Sequence, residues 1–145
     1  MRIGVPKEIK PQENRIGLTP DSVKTLVSEG HEVLVENNGG FEAGFDNDQY
    51  KNAGAKIIEK AADIFNDAEI IVKVKEPQKV EVEMIRENQI VYTYLHLAAA
   101  KELTEGLVKS KSINIAYETI TDDNGRLPLL AVSYTHLRAH ETELD

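Results

Sequence analysis

Apolar residues occur along this chain in two rhythms, short continuous runs and stretches with a recurrence of three or four. Arg2–Val5 is a β-like run that Pro6 closes. Thr19-Pro20-Asp21 then reads as a helix start: a hydroxyl N-cap, proline at the first helical position and an acid facing the helix dipole. Val23, Leu26 and Val27 follow at helical spacing, and Gly30 supplies the stop. His31–Glu36 is the second expected strand, with Asn37-Asn38-Gly39-Gly40 as loop punctuation. Asp46 is expected to cap a short helix that Gly54 ends, followed by a brief strand over Lys56–Ile58 and a helical turn or two over Glu59–Phe65. Ile70–Lys75 reads as a strand, stopped by Glu76-Pro77 because proline cannot continue a ladder. Val80, Met84 and Ile85 suggest a helix, Gln89–Leu95 a strand, and Ala98–Ser110 a helix whose weak point is Gly106. Ile113–Tyr117 is the last expected strand, and Asp122-Asp123-Asn124-Gly125 a turn.

Strands alternating with helices at this spacing read as βαβ units. The crossover rule then predicts a mainly parallel sheet, doubly wound, with helices on both faces. A length of 145 residues suits one domain. A formal charge of −8 argues against a basic nucleic-acid or anionic-membrane surface. The absence of cysteine excludes disulfides, thiolate metal sites and cysteine nucleophiles within this chain. The N-terminus lacks the apolar stretch of a signal peptide, so a soluble, intracellular protein is expected.

In an open α/β sheet, ligands bind beyond the carboxyl ends of the strands. Arg15, Lys75, Tyr94, His96 and Glu118 all fall there on the predicted elements. Lys75 shares one side of its strand with Lys73 by the period of two. A lysine closing a strand is commonly just exposed. Held instead among aliphatic neighbours beside a carboxylate or carbonyl, it would exchange a proton more readily. His96 is either a histidine satisfied by backbone or a group that gives and takes protons. Arg15 is either a solvated loop arginine or a bidentate fork for a carboxylate. Glu118, taken alone, reads as a surface acid. Neither G-x-G-x-x-G nor G-x-x-x-x-G-K-[ST] is present. His136 and His140 have the spacing of two zinc ligands on a helix, but no third ligand is evident and no metal is expected.

Four groups of motifs carry a resemblance. Met1 to Lys10 followed by Glu13-Asn14-Arg15-Ile16-Gly17-Leu18-Thr19-Pro20 resembles the start of the alanine dehydrogenase and pyridine-nucleotide transhydrogenase superfamily. Lys73-Val74-Lys75-Glu76-Pro77, Tyr94-Leu95-His96-Leu97-Ala98-Ala99 and Ile115-Ala116-Tyr117-Glu118-Thr119 resemble alanine dehydrogenases in particular. The likeness runs from Met1 to about Ala131. It implies a flavodoxin-like substrate-binding domain over residues 1–131. It also implies reversible NAD-dependent conversion of L-alanine and water to pyruvate and ammonia. Arg15 and Lys75 would hold the substrate's carboxylate and keto groups, His96 would bind substrate and transfer a proton, and Tyr94 and Glu118 would support the pocket. The parent enzyme would be a cytoplasmic homo-oligomer, commonly a hexamer in this family, acting on a small molecule without nucleic acid or membrane.

Residues 132–145 depart from the family pattern and resemble translated adapter sequence, so a truncated gene product is expected. The family's Rossmann domain, with its glycine fingerprint, is missing from the chain. This fragment is therefore expected to be inactive alone and to bind no NAD. Two other readings compete: the N-terminal domain of a transhydrogenase α subunit, against which Tyr94-Leu95-His96-Leu97 speaks, and a non-enzymatic flavodoxin-like binding module. A receiver-type module would need clustered acids after the first strand, where Pro6-Lys7-Glu8 stands.

Overall fold

The computed structural model describes residues 1–130. The tail from Val132 and the His136/His140 pair lie outside the described residues. The strands are β1 (Arg2–Val5), β2 (Glu32–Glu36), β3 (Lys56–Ile58), β4 (Ile70–Val72), β5 (Ile90–Thr93) and β6 (Ile113–Ala116). They form one sheet of order β3-β2-β1-β4-β5-β6, and every pairing is parallel. Without β3 this is the flavodoxin-like order, and β3 adds a sixth strand outside β2. The helices are α1 (Pro20–Ser28), α2 (Asn47–Asn52), α3 (Ala61–Asp67), α4 (Lys79–Val82) and α5 (Lys101–Ser110).

Strand alternation sorts the core into two layers. Ile3, Val5, Val33 and Val35 join Val23 of α1 and Tyr50 of α2 on one face. Leu34, Ile71 and Val91 join Ile64 and Phe65 of α3 and Leu107 of α5 on the other. Gly4 faces this second layer, where a Cβ would stand 2.6 Å from Ile64 Cγ2 and 2.7 Å from Ala68 Cβ. Glycine there lets α3 lie against the central strand.

The helix signals act as read. Thr19 Oγ1 accepts from Ser22 N at 3.3 Å, and Asp46 with Gln49 forms a capping box. The carboxyl end of α3 is satisfied from a distance. Arg86 donates to the carbonyls of Phe65 (3.0 Å) and Ala68 (2.9 Å), and buried Gln89 donates to the same two at 2.8 Å each.

Several boundaries differ from the sequence reading, and side chains account for the two most important. β4 stops at Val72, three residues short of Lys75, because the amides of Val74 and Lys75 donate to the Glu8 carboxylate. β5 stops at Thr93, because the amides of Leu95 and His96 donate to Glu118. β6 ends at Ala116, where Tyr117–Thr119 turns as a 3-10 helix. The helix expected from Ala98 starts at Lys101. Ala100, at φ −134° and ψ 73°, separates it from a 3-10 turn over Leu97–Ala99.

Gly17 brings the loop after β1 down onto the end of β4. A Cβ on Gly17 would stand 2.5 Å from Val72 O, a backbone atom with little room to move. Gly17→Ala is expected to destabilise the domain by about 1–3 kcal/mol, read as a lowered midpoint in thermal unfolding.

Candidate active site

Because all six strands run the same way, their carboxyl ends share one edge. The loop after β1 and the turns after β4, β5 and β6 deliver titratable side chains to it. Under this edge lies a buried ionic cluster. Lys73, 3% exposed, places Nζ 3.1 Å from Glu8 Oε1 and 3.1 Å from Glu81 Oε2. Glu8 also accepts Lys75 N at 3.0 Å and Val74 N at 3.2 Å, while Glu81 Oε1 accepts Gln78 N at 2.9 Å. Burial pushes the Glu81 carboxyl above its ordinary range despite the pull of Lys73. The expectation that Lys73 and Lys75 share one side is corrected here. The chain leaves the strand after Val72, so period-two alternation no longer applies. Lys73 turns into the interior and Lys75 toward the aromatic edge.

Lys75 is half-buried, and its ammonium lies 5.1 Å from the ring centroid of Tyr94, in cation–π range. Its neighbour on this side is thus an aromatic face and not the aliphatic pocket considered from sequence. Its main chain is held at both ends: the amide by Glu8, and the carbonyl by the Thr93 hydroxyl at 2.8 Å. The imidazole of His96 stacks on the same Tyr94 ring, 5.8 Å between centroids and 7° between planes. Tyr117 lies 6.3 Å from Tyr94 and 5.8 Å from Tyr92, and its hydroxyl donates to Val74 O at 2.9 Å. Burial raises both the Tyr94 and Tyr117 phenols, so both stay protonated at neutral pH.

His96 has φ 48° and ψ 50°, a left-handed conformation that costs a non-glycine residue roughly 1–2 kcal/mol. The conformation is stabilised by Glu118, which accepts His96 N at 2.9 Å and Leu95 N at 3.2 Å. Glu118 is only 8% exposed. It is a buried backbone acceptor and not the surface acid that its place in the sequence suggested. The His96 side chain itself is exposed.

Arg15 is paired within its own loop. Glu13 accepts Nη2 at 2.7 Å and Nε at 3.0 Å, and the amide of Arg15 donates to the same carboxylate at 2.9 Å. Arg15 holds the Glu13 carboxyl below its ordinary value of 4.5, and the positive charge of Lys75 adds to the effect. The charge of Arg15 in turn reaches Tyr117 and Glu8. Lys75, Tyr94, His96 and Glu118 therefore form one contiguous group, with Arg15 beside it on the neighbouring loop. Glu8, Glu13, Lys73 and Tyr117 complete the edge. Tyr117 was within reach of sequence reasoning as the last residue of the expected strand Ile113–Tyr117. A cavity of about 680 Å³ lies elsewhere, between α4 and α5 with Val82, Ile85, Leu103 and Gly106 in its wall. None of the five candidate side chains lines it. Among the described residues no group of acids and histidines could hold a metal ion, and no helix is long and apolar enough to cross a membrane.

Residues 4–135 match the family model described as alanine dehydrogenase/PNT, N-terminal domain. The chain belongs to this family. The match takes in residues 132–135 of the segment set apart on sequence. Alanine dehydrogenases of Staphylococcus epidermidis and Halomonas elongata are 49% and 50% identical to the chain over 130 and 131 residues, 90% of it in each case. The chain spans 35% of the length of these relatives. A solved L-alanine dehydrogenase superposes with a TM-score of 0.87 at 50% identity, covering 90% of this chain and 36% of that one. A transhydrogenase from Sinorhizobium meliloti superposes at 0.77 with 28% identity, covering 83% of this chain and 36% of that one. The doubly wound α/β domain inferred from periodicity is thus the fold of the family.

The buried cluster is testable apart from any activity. Lys73→Met would leave Glu8 and Glu81 without their shared cation in the interior. Removing one partner of a buried pair typically costs about 3–5 kcal/mol. A loss of that order is expected in urea unfolding at neutral pH. It should shrink as the pH falls and the Glu81 carboxyl, already raised by burial, takes up a proton.

Proposed function

We propose that this domain forms the substrate side of an NAD-dependent L-alanine dehydrogenase, which interconverts L-alanine and water with pyruvate and ammonia. The observation that carries the reading is the approach of Lys75 and His96 to one ring, Tyr94, at the carboxyl edge of a sheet belonging to this family. A cation and a proton-exchanging imidazole at one place are what a 2-oxo or 2-amino acid requires. The higher identity to alanine dehydrogenases than to the transhydrogenase favours this branch.

In this reading Arg15 and Lys75 receive the substrate carboxylate and keto oxygen, which fixes the α-carbon for reaction. The imidazole of His96 gives a proton to, or takes one from, the oxygen or nitrogen at that carbon as water adds or leaves. Tyr94 is the surface against which both groups are held. Glu118 acts by holding the backbone of His96. Residues 1–131 are assigned to the substrate-binding domain and residues 132–145 to a tail outside it. The longer protein is proposed to work in the cytoplasm as a homo-oligomer, as the family resemblance implies.

NAD is the hydride acceptor implied by the resemblance, and the loop after the central strand β1 does not fit it. A dinucleotide needs a glycine-rich turn directly between a strand and the N-terminus of a helix. Here Pro6-Lys7-Glu8 follows β1, and α1 starts only at Pro20. The one glycine in that loop, Gly17, already lies against Val72 O. The chemistry assigned to this domain is therefore confined to binding substrate and moving protons.

In a complete dehydrogenase carrying this domain, Lys75→Ala and His96→Ala are each expected to lower kcat by about 100-fold or more without loss of folded protein. Arg15→Lys keeps the charge but loses the fork, and it should raise the KM for pyruvate. Near-normal turnover in the Lys75 or His96 variant would remove that residue from the machinery. Calorimetry of the 145-residue chain with NAD should give no heat of binding, and micromolar affinity would mean that the cofactor site has been misplaced.

A further inference from the structure

Arg15, Lys75 and His96, the residues proposed to meet substrate, share a feature that the proposed reaction does not by itself require. Each donates its own main-chain amide to a glutamate: Arg15 to Glu13 at 2.9 Å, Lys75 to Glu8 at 3.0 Å and His96 to Glu118 at 2.9 Å. All three glutamate side chains are buried or nearly so. Glu8 and Glu118 reach only the backbone of the residue they serve. Glu13 goes further and grips the side chain as well.

A guanidinium carries five N–H donors, which form two edges suited to a carboxylate. Glu13 occupies the edge made by Nε and Nη2, at 3.0 and 2.7 Å. With the amide bond added, three contacts to one carboxylate fix the plane of the guanidinium relative to the loop. No hydrogen bond among the described residues engages Nη1 of Arg15. The arginine side chain is 65% exposed while that of Glu13 is 7% exposed, so the carboxylate lies beneath and the unused edge faces out. The loop is itself pinned through Gly17 against Val72 at the end of β4, three residues before Lys75.

Resting on the reading of this edge as a substrate site, we propose that Glu13 is a positioning residue that presents the Nη1 edge of Arg15 to the substrate carboxylate. The benefit is preorganisation: a long, flexible side chain is already ordered before the ligand arrives. The opposing effect is that Glu13 also cancels part of the charge that attracts an anion. The two effects have opposite signs in the affinity for pyruvate, and preorganisation is the larger because Glu13 does not cover the edge to be used.

The test is steady-state kinetics of a complete dehydrogenase carrying this domain, with pyruvate varied in the amination direction. Glu13→Gln keeps the size and one acceptor oxygen but turns an NH2 toward an arginine donor. It is expected to raise the KM for pyruvate about five- to tenfold with kcat within about twofold, because a contact to the carboxylate is made equally in ground and transition states. In an Arg15→Lys background the same substitution should add nothing to KM, since a residue acting only through Arg15 has no further effect once the fork is gone. An unchanged or lowered KM in Glu13→Gln would overturn the proposal and make Glu13 a competitor of the substrate. A rise in KM that multiplies with that of Arg15→Lys, or a fall in kcat in step with it, would reduce Glu13 to a structural part of the loop. If Arg15→Lys alone left KM untouched, the role of Arg15 itself would fall and that of Glu13 with it, an outcome separable from the others by this one variant.

Discussion

The carboxylate of Glu8 is the point on which the arrangement of this domain turns. It stands three residues beyond the central strand β1 and reaches across to the chain leaving β4, the strand beside it in the sheet. Buried at 5% exposure, it must find donors for both oxygens or cost several kcal/mol. It finds two amides and the Lys73 ammonium. Those bonds end β4, turn Lys73 inward and set the path on which Lys75 emerges. Glu81 then balances Lys73 from the start of α4, so the helix after the strand is tied to the same charge. Such a cluster is weak evidence for stability, because desolvation offsets much of the attraction. What it supplies is definition: the path of the chain beyond residue 72 brings two amides and the Lys73 ammonium to one carboxylate.

The same logic explains which parts of the fold could be read from the sequence. The existence and kind of the elements followed from spacing, because Val33, Leu34 and Val35, or Val23, Leu26 and Val27, bury whichever face their period creates. Caps at Thr19 and Asp46 are local chemistry and were equally legible. The ends of β4 and β5 were not. They depend on Glu8 and Glu118, which lie 67 and 22 positions away from the amides of Lys75 and His96. A local pattern carries no trace of a hydrogen bond over such a distance, so Val74, Lys75 and Leu95 looked like strand until the carboxylates were placed.

The candidate site divides in the same way. Arg15, Lys75, Tyr94 and His96 reach one edge because all the strands are parallel, a fact implied by the βαβ rhythm. Their mutual geometry was beyond the sequence. Tyr94 sits between a lysine beyond the end of the neighbouring strand and a histidine two positions on, which stacks on it from a left-handed turn. Glu118 had the right place and the wrong character: a strand-end acid reads as surface until the backbone folds over it. The roles of Glu13 and Glu8 had no local mark, since a glutamate in a charged loop is among the commonest of surface residues.

The parallel register also governs how the chain reaches this state. No two neighbouring strands of the sheet are joined by a hairpin, so no pairing can form from a tight turn alone. Ile3 must wait for Val33 on one side and Ile70 on the other. A central strand whose partners on both sides lie this far along the chain makes a topology rich in non-local contacts, in which the entropy of closing long loops precedes the reward of burial. During synthesis β1 leaves the ribosome well before β4 exists, with Ile3 and Val5 still uncovered. The segment that follows it is broken by Pro6, Pro11 and Gly17 and carries charges of both signs at Lys7, Glu8, Lys10, Glu13 and Arg15, features that oppose strand-to-strand association while the partners of β1 are still missing.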